Sequence, residues 1–494
     1  MAREIELKFE TDADSRHLII DSGVLDGAKA RRTAQETVYF DTPTGSVRRR
    51  GYSLRIRRSP KGFVQTVKHR TNSPAGLFSR EEYESAVEGF EVDLEAVDRT
   101  PLGRWLTPGL RRKLRPVVCT RFERTSWRLT RGGSRIEATL DEGEVIAGES
   151  SMPLIEFELE LAKGDIGTLF ELADQVGRTI PLRLGVLSKA ERGFALADGR
   201  LEAASKAEPI WLRPEMNVGD AFAAAAHSCL RHFRLNKPLV LARRDAAALH
   251  QARVAIRRLR SALTLFRPAI ADWEFDRMRD SLRRLAGELG EARNLDVLIE
   301  RLPAKMSGKV AREKLGRKRE AAYERVEALL ESARTRALML NLIRWFETGG
   351  WRARARAAKP LGPFARDQLA KRWRRVTRRG DELGRLDPAG LHALRIDVKK
   401  MRYSAEFLSG LHDSKHEAAR SAEFGEALRT LQDRLGEIND GEVARDLLDD
   451  LKLGREQRKA AARSAGAAGE GKGTTLGAAA QAYAQARAAA GYWD

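Results

Sequence analysis

Cysteine is nearly absent. Cys119 and Cys229 are the only two in 494 residues, far apart and without metal-ligand spacing. They allow one bridge at most, which excludes a disulfide framework and points to a reducing compartment. Long apolar runs are missing as well, and none approaches the roughly 20 residues of a membrane-crossing helix. Charged alternation begins at residue 3 and leaves no room for a signal peptide, so the expectation is a soluble cytoplasmic protein without a membrane partner. Aromatic residues make up only 6%. The basic stretches lack interleaved rings for base stacking, which argues against nucleic acid as the partner. The N-terminal region has neither a Gly-x-x-x-x-Gly-Lys-Ser loop nor a Gly-x-Ser-x-Gly elbow. His17 and His69 stand apart and read as surface residues, and Cys119 as small core filling rather than a nucleophile.

What the chain has is charge, unevenly placed. The net charge is +20 and the pI near 10.1, which predicts an anionic partner. Residues 1–200 hold 33 Lys+Arg against 31 Asp+Glu, or +2, whereas residues 201–494 hold 57 against 39, or +18. The length suffices for two to four domains. The expected organisation is a strand-rich domain at 1–200, a linker at 201–217, a helical domain at 218–460 and an Ala/Gly-rich tail at 461–494. In that tail, Gly469 to Gly473 reads as a flexible break and residues 476–490 as a terminal helix.

The first domain alternates. Arg3 to Glu10 places Glu4, Glu6 and Lys8 on one strand face and Ile5, Leu7 and Phe9 on the other. Two carboxylates and an ammonium in a row suit a cation and a phosphate bound together. Arg55 and Arg57 share a face opposite Leu54 and Ile56, and Lys68 lies with Thr66. Ile155 to Leu161 puts Glu156, Glu158 and Glu160 on one face, Arg121 and Arg124 fall on another strand, and Arg135 to Asp141 reads as one more. Turns separate these strands, and short helices fit 14–25, 91–106 and 165–177. Either the charged faces meet solvent, or the sheet closes into a barrel with charged faces inward and apolar faces under helices. Acids and bases in rough balance, cleanly sorted by face, favour the inward arrangement.

Glu4-x-Glu6-x-Lys8 resembles the opening signature of the CYTH family, the triphosphate tunnel metalloenzymes. Tyr39-Phe40-Asp41-Thr42, Arg55-x-Arg57, the Lys68 strand, Ser79-Arg80-x-Glu82 and Ser188 to Gly193 are similar to its later blocks, in order, over about residues 2–198. The resemblance implies an antiparallel eight-stranded β tunnel barrel with helices that binds inorganic triphosphate. It implies that Lys8, Arg55, Arg57, Lys68, Arg124 and Lys189 grip phosphate oxygens. Asp141, Glu156 and Glu158 would hold one Mg²⁺ or Mn²⁺, and Glu4 and Glu6 a second ion that orients or activates water. Glu4, Glu6 and Lys8 are thus the implied catalytic residues. Whether Arg121 or Arg124 points inward stays open, and Glu160 could replace either neighbouring acid.

Beyond the linker, helical periodicity takes over and a repeat emerges. Leu249 to Arg260 matches Leu391 to Arg402 with a constant offset, pairing His250 with His392, Arg253 with Arg395, Arg257 with Lys399 and Arg260 with Arg402. A second block pairs Leu289-Gly290-Glu291 through Val297 with Leu435-Gly436-Glu437 through Val443. On a helix, His250, Arg253, Arg257 and Arg260 fall inside an arc of about 80° beside the stripe of Ile256 and Leu259. A basic run is ordinarily a solvated helix face, as expected for Arg372 to Arg379. Repetition of one cationic stripe argues instead for an anion-binding surface. These blocks resemble the CHAD family, the conserved-histidine α-helical domains, over about residues 218–460. That resemblance implies all-α paired helical bundles that bind inorganic polyphosphate. The functional expectation is hydrolysis of inorganic triphosphate with an attached polyphosphate-binding module, in a cytoplasmic protein associated with polyphosphate granules. Thiamine triphosphate hydrolysis, cyclisation of ATP and a non-enzymatic polyphosphate-binding or granule-targeting role are the alternatives.

Overall fold

The alternating stretches fold as strands whose charged faces turn toward one another. A computed structural model of the chain describes residues 3–25, 27–69, 75–210, 212–213, 215–301, 309–411, 414–449 and 472–493. It comprises two compact units. The first is Met1–Lys206 with Leu230–Leu239 and Glu331–Thr348; the second is Ala207–Cys229, Val240–Leu330 and Gly349–Asp494. Both are therefore discontinuous in sequence.

In the first unit the strands are β1 (Arg3–Glu10), β2 (Arg31–Asp41), β3 (Tyr52–Ser59), β4 (Gly62–His69), β5 (Leu77–Val87), β6 (Arg115–Arg131), β7 (Ser134–Ala147), β8 (Ser150–Lys163) and the two-residue β9 (Arg183–Leu184). They run β5-β4-β3-β2-β6-β7-β8-β1-β9, and an added β1–β5 pairing joins the ends of an antiparallel eight-stranded ring. Gly132 and Gly133 both adopt positive φ in the turn from β6 to β7, the backbone shape that a two-residue hairpin needs. Helices α1 (Arg16–Ile20), α2 (Ser46–Arg49), α3 (Leu94–Asp98), α4 (Pro108–Arg111), α5 (Ile166–Thr179) and α6 (Lys189–Ala197) complete this stretch.

The wall is two-faced. Outside, Leu54, Ile56 and Val67 pack with Val47, Val97, Leu102 and Leu106. Burying each such side chain contributes about 1.5–3 kcal/mol. Inside, charge occupies the middle of the ring and an apolar cluster fills one end. Tyr39, Val118, Phe122, Val145, Ala147 and Leu154, from the inner faces of β2, β6, β7 and β8, meet Ala190 and Phe194 of α6. Helix α6 thus packs against the inner wall at that end. Its fit is close, because a Cβ on Gly193 would fall 2.2 Å from a Val118 methyl.

The remaining helices are α7 (Val218–Arg243), α8 (Ala246–Ile270), α9 (Phe275–Arg301), α10 (Lys309–Glu331), α11 (Ala333–Thr348), α12 (Leu361–Gly380), α13 (Pro388–Phe407), α14 (Lys415–Asp449) and α15 (Lys472–Ala489). Helix α8 buries Leu249, Ala252, Ile256, Leu259, Leu263 and Phe266 at helical spacing. Its counterpart α13 buries Leu394, Val398 and Met401. Both start the same way: Asp245 caps α8 through the Ala248 amide at 2.7 Å, and Asp387 caps α13 through the Gly390 amide at 2.7 Å. The repeat therefore begins four residues before each leucine that opens the matched blocks.

Residues 469–471 of the expected glycine break lie outside the described residues, while Lys472 and Gly473 already belong to α15. That helix joins the core of the second unit. Tyr483 donates to Asp381 at 2.7 Å, and Trp493 packs on Phe424 with ring centroids 5.3 Å apart. The expectation of a solvated face at Arg372 to Arg379 holds for Arg374, Arg375 and Arg378, which are exposed, but not for the run's two ends. Arg372 is buried and donates to the Thr264 carbonyl at 3.1 Å, and Arg379 pairs with Asp397. Burial pushes the Arg372 guanidinium down to about 10. A cationic run stays solvated only when no helix packs across it.

Candidate functional site

Register assembles the acids of the barrel. Across from Glu156 on β8 lie Asp141 of β7 and Glu10 of β1; across from Glu158 lie Thr139 and Lys8; across from Glu160 lie Glu137 and Glu6. On β6, Arg124 lies opposite Asp141. Glu156 and Lys8 are 0% and 3% exposed, so this face is interior. The inward reading of the charged faces therefore holds for the strands whose side chains are described.

Three cations bind these acids. Lys8 donates to Glu158 and to Glu156 Oε2 at 3.4 Å, with Glu6 Oε1 at 3.9 Å. Lys189 Nζ lies 2.8 Å from Asp141, 2.6 Å from Glu156 and 2.9 Å from Glu158. Arg124 forks Asp141 with two contacts of 2.6 Å and reaches Glu158 Oε2 at 3.1 Å. Burial opposes charge on Lys8, but Glu156, Glu158 and Glu6 outweigh it and lift the ammonium to about 12. The same contest holds Glu158 well below the usual carboxylate range, burial losing to Lys189, Lys8 and Arg124.

Local sequence explains how Lys189 arrives there. Ser188 caps α6 and Glu191 returns the bond in a capping box, which sets Lys189 as the first helical residue. Ala190 and Phe194 then enter the apolar cluster, and Arg192 pairs with Glu10. The open choice on β6 is resolved: Arg121 is exposed beside Glu36, whereas Arg124 points inward. They are three residues apart and so lie on opposite faces. On β8, Glu156 and Glu158 are buried and Glu160 is half-buried. The Glu4 side chain lies outside the described residues, as do those of Ser79 and Arg80; only the backbone pairing of Glu4 with Arg80 is described.

The opposite wall is basic. Arg55 and Arg57 project from β3, and Lys68 of β4 pairs with Glu82 of β5. Arg57 is 3.9 Å from Glu84, which also accepts from Thr66 at 3.4 Å. Crowding by Arg55, then burial, then Arg124 pushes the Arg57 guanidinium down despite Glu84. Like charges gathered this closely favour an anion between them. Glu10, Glu82, Glu84 and Arg192 are the members that residue-type reasoning left out of the site. The Glu82/Glu84 alternation on β5 was the available signal.

Both thiols are free. Cys119 is half-buried, and burial followed by Glu36 raises its pKa, which makes it a poor nucleophile. His17 is exposed, and the His69 ring lies 4.6 Å from that of Tyr52.

A second charged site lies on α8 and α13 of the second unit. Burial, then Arg293, Arg257 and Arg253, push the half-buried His250 down to about 4. Burial, then Arg257, Arg395, Arg260 and Lys400, push Lys399 down to about 8. The cations of the two repeats therefore face a common field. Arg253 donates to the Leu289 carbonyl at 3.1 Å and crosses Gly290, where a Cβ would come within 3.0 Å of its guanidinium. Arg395 crosses Gly436 in the same way, with 3.7 Å of space. This packing explains why the second repeated block keeps a glycine; from residue 438 onward that block's side chains lie outside the described residues. Arg260 sits by Arg283, while Arg402 is tied to Gln432 at 3.0 Å and Glu406 at 3.4 Å. His392 is exposed, unlike His250.

Comparison with known proteins agrees with both halves. Residues 2–194 match the CYTH domain and residues 224–449 the CHAD domain. An inorganic triphosphatase of Haemophilus influenzae is 31% identical over 158 residues, which cover 32% of this chain but less than half of that relative, 44%. An uncharacterized protein of Mycobacterium tuberculosis is 25% identical over 445 residues, 84% of this chain and 81% of that one. The crystal structure of the CHAD domain from the plant Ricinus communis aligns with 56% of this chain and 91% of its own, at 28% identity and a TM-score of 0.47. Among the described residues no helix is long and apolar enough to cross a membrane. With its closed ring of strands and its repeated helical stripe each falling inside one of these matches, the chain carries a CYTH domain followed by a CHAD domain.

Proposed function

We propose that the barrel hydrolyses inorganic triphosphate to pyrophosphate and phosphate with a divalent cation, and that the helical unit binds inorganic polyphosphate. The observation that carries the first part is the crowding of Arg57 by Arg55 and Arg124 across from buried carboxylates. A linear polyanion entering this space relieves the repulsion among the arginines, whose planar forks suit phosphate oxygens. Lys8, Lys68 and Lys189 add charge around it. Water attacks the terminal phosphorus, the bridging P–O bond breaks, and pyrophosphate leaves with the electron pair. The inorganic triphosphatase relative supports this choice of substrate.

The acids suit a hard cation. Asp141, Glu156 and Glu158 offer oxygen only, the donor set that Mg²⁺ or Mn²⁺ takes beside substrate phosphates. Among the described residues no ready group of three such ligands occurs, and Lys8, Lys189 and Arg124 hold these carboxylates. Yet Glu156 Oε1 is buried without a hydrogen-bond partner, an open acceptor where a ligand bond is favourable. Asp141, Glu156 and Glu158 would hold one ion, and Glu6 with Glu4 a second. Such a cation supplies charge neutralisation at the leaving phosphate and a more acidic water.

For the helical unit, the support is the shared field of His250, Arg257, Arg260, Arg395 and Lys399. Binding to polyphosphate would place the protein at polyphosphate granules. Phosphate release from tripolyphosphate, ATP and thiamine triphosphate, each with Mg²⁺, Mn²⁺ or chelator, tests the enzymatic reading. Tripolyphosphate should be preferred and chelator should abolish turnover. Cyclic AMP as the main product from ATP, or full turnover in chelator, overturns it.

A further inference from the structure

The wall of the barrel has a second charged cavity on its far side. Strand β1 sends Lys8 and Glu10 inward and Phe9 outward; Phe9 lines a cavity of about 390 Å³ together with residues of α5, β9, Leu230–Leu239 and α11, all in the first unit. Its apolar lining includes Ile180, Leu182, Met339 and Leu340. Five cations border it: Arg178, Arg183, Arg234, Lys237 and Arg336. The first unit's sequence is nearly neutral over residues 1–200, so this concentration is local.

Among the described residues, the acids that act there are fewer than the cations. Asp174 is 2.8 Å from Arg178, one turn away on α5. Glu331 acts on Lys237, and Glu10 acts on Arg234 across the strand while pairing with Arg192. Arg234 is buried and donates to the Leu184 carbonyl at 3.2 Å, which fixes its guanidinium at the cavity edge. Arg336 donates to the Glu331 carbonyl.

We infer that this cavity is a second anion site, which takes a small organic phosphate: the phosphoryl group among Lys237, Arg234, Arg183 and Arg336, and an apolar body against Phe9, Met339 and Leu340. The volume lies in the usual range for small-molecule pockets and exceeds what a bare phosphate fills. A few charged groups on a mainly apolar lining match an amphiphilic anion rather than a polyanion. The charge balance independently calls for an anion. Burial, then Arg234 and Arg183, and behind Glu331 also Arg336, push the Lys237 ammonium down to about 7. A bound phosphoryl dianion would restore its proton.

The test uses the full chain and calorimetric titration with hexyl phosphate, inorganic phosphate and hexylamine, each with and without saturating tripolyphosphate. One hexyl phosphate should bind per chain alongside tripolyphosphate, at least tenfold tighter than inorganic phosphate, and hexylamine should not bind. Lys237→Met should weaken hexyl phosphate at least tenfold, and the half-buried Arg336→Gln severalfold with its thermal melt unchanged. Equal affinity for the two phosphates, displacement by tripolyphosphate one for one, or unaltered binding in Arg336→Gln would each overturn the inference. Because the readout is binding outside the barrel interior, loss of the triphosphatase proposal would leave it standing.

Discussion

In the barrel, each cation on the acidic wall meets a carboxylate: Lys8 and Lys189 share Glu156 and Glu158, and Arg124 forks Asp141. On α8 and α13, the charges acting most strongly on His250 and Lys399 are all positive. The first arrangement carries its own counterions before any ligand arrives. In the second, like charges act on one another around His250 and Lys399, a repulsion that an outside anion would relieve. An enzyme that must exchange cations and release products benefits from acids ready to take over when the ligand leaves. A surface that retains a long polyanion does not need them.

This contrast can be broken most sharply at Arg57, where barrel cations crowd one another. Arg57→Ala should raise the KM for tripolyphosphate by about one to two orders of magnitude, the scale of one lost charge-assisted contact. Unchanged steady-state kinetics at limiting substrate would mean that the basic wall does not meet substrate. On the helical unit, Arg253→Ala with Arg395→Ala should weaken polyphosphate binding about tenfold or more, and flatten its salt dependence. Two exposed arginines replaced elsewhere are the control. Filter binding against duplex and single-stranded nucleic acid at physiological salt decides the class of partner, and tighter nucleic-acid binding removes the polyphosphate assignment.

Glu158→Gln should act more mildly on substrate affinity than Arg57→Ala but raise the metal concentration for half-maximal rate by about tenfold, as loss of one anionic ligand does. A metal titration that superimposes on wild type refutes its assignment as a ligand. The smallest effect concerns pH. With its pKa depressed to about 4, His250 stays neutral from pH 7 to well below its ordinary value. A depressed histidine contributes stability above its ordinary value of 6.5, and that contribution is lost as the pH falls toward 4. A bound polyanion raises the pKa again, so binding takes up a proton and should tighten severalfold between pH 7 and 4.5. His250→Asn should remove that dependence; a profile identical to wild type would show that other groups carry it.

Much of the barrel was legible because period-two alternation sorts faces without knowledge of strand order. Lys8, Arg55, Arg57, Glu156 and Glu158 could be grouped that way. Arg121 and Arg124 could not be separated, since parity gives two faces but only pairing with Asp141 says which is inside. The cluster at α6 was hidden for another reason: Ala190, Gly193 and Phe194 look like ordinary helix residues until Val118 is placed beneath them. In the helical unit, the angular arc put Arg402 beside its repeat mates. Gln432 and Glu406, distant or off the stripe in sequence, tie it down. The stripe reveals which residues share a helix face, and the neighbouring helices decide which remain available to a ligand.

Helix α6 has a consequence for traffic. With Phe194 and Ala190 packed against inner-face residues of β2, β6, β7 and β8, one end of the passage is narrowed, which opposes threading of a linear polyanion. Under the proposed activity, a chain then enters by its terminus and the larger fragment backs out through the mouth that admitted it. Cleavage is then confined to the end of the chain, with trimming that leaves interior linkages intact. Time-resolved product lengths from an end-labelled polyphosphate should shorten stepwise, without mid-chain fragments.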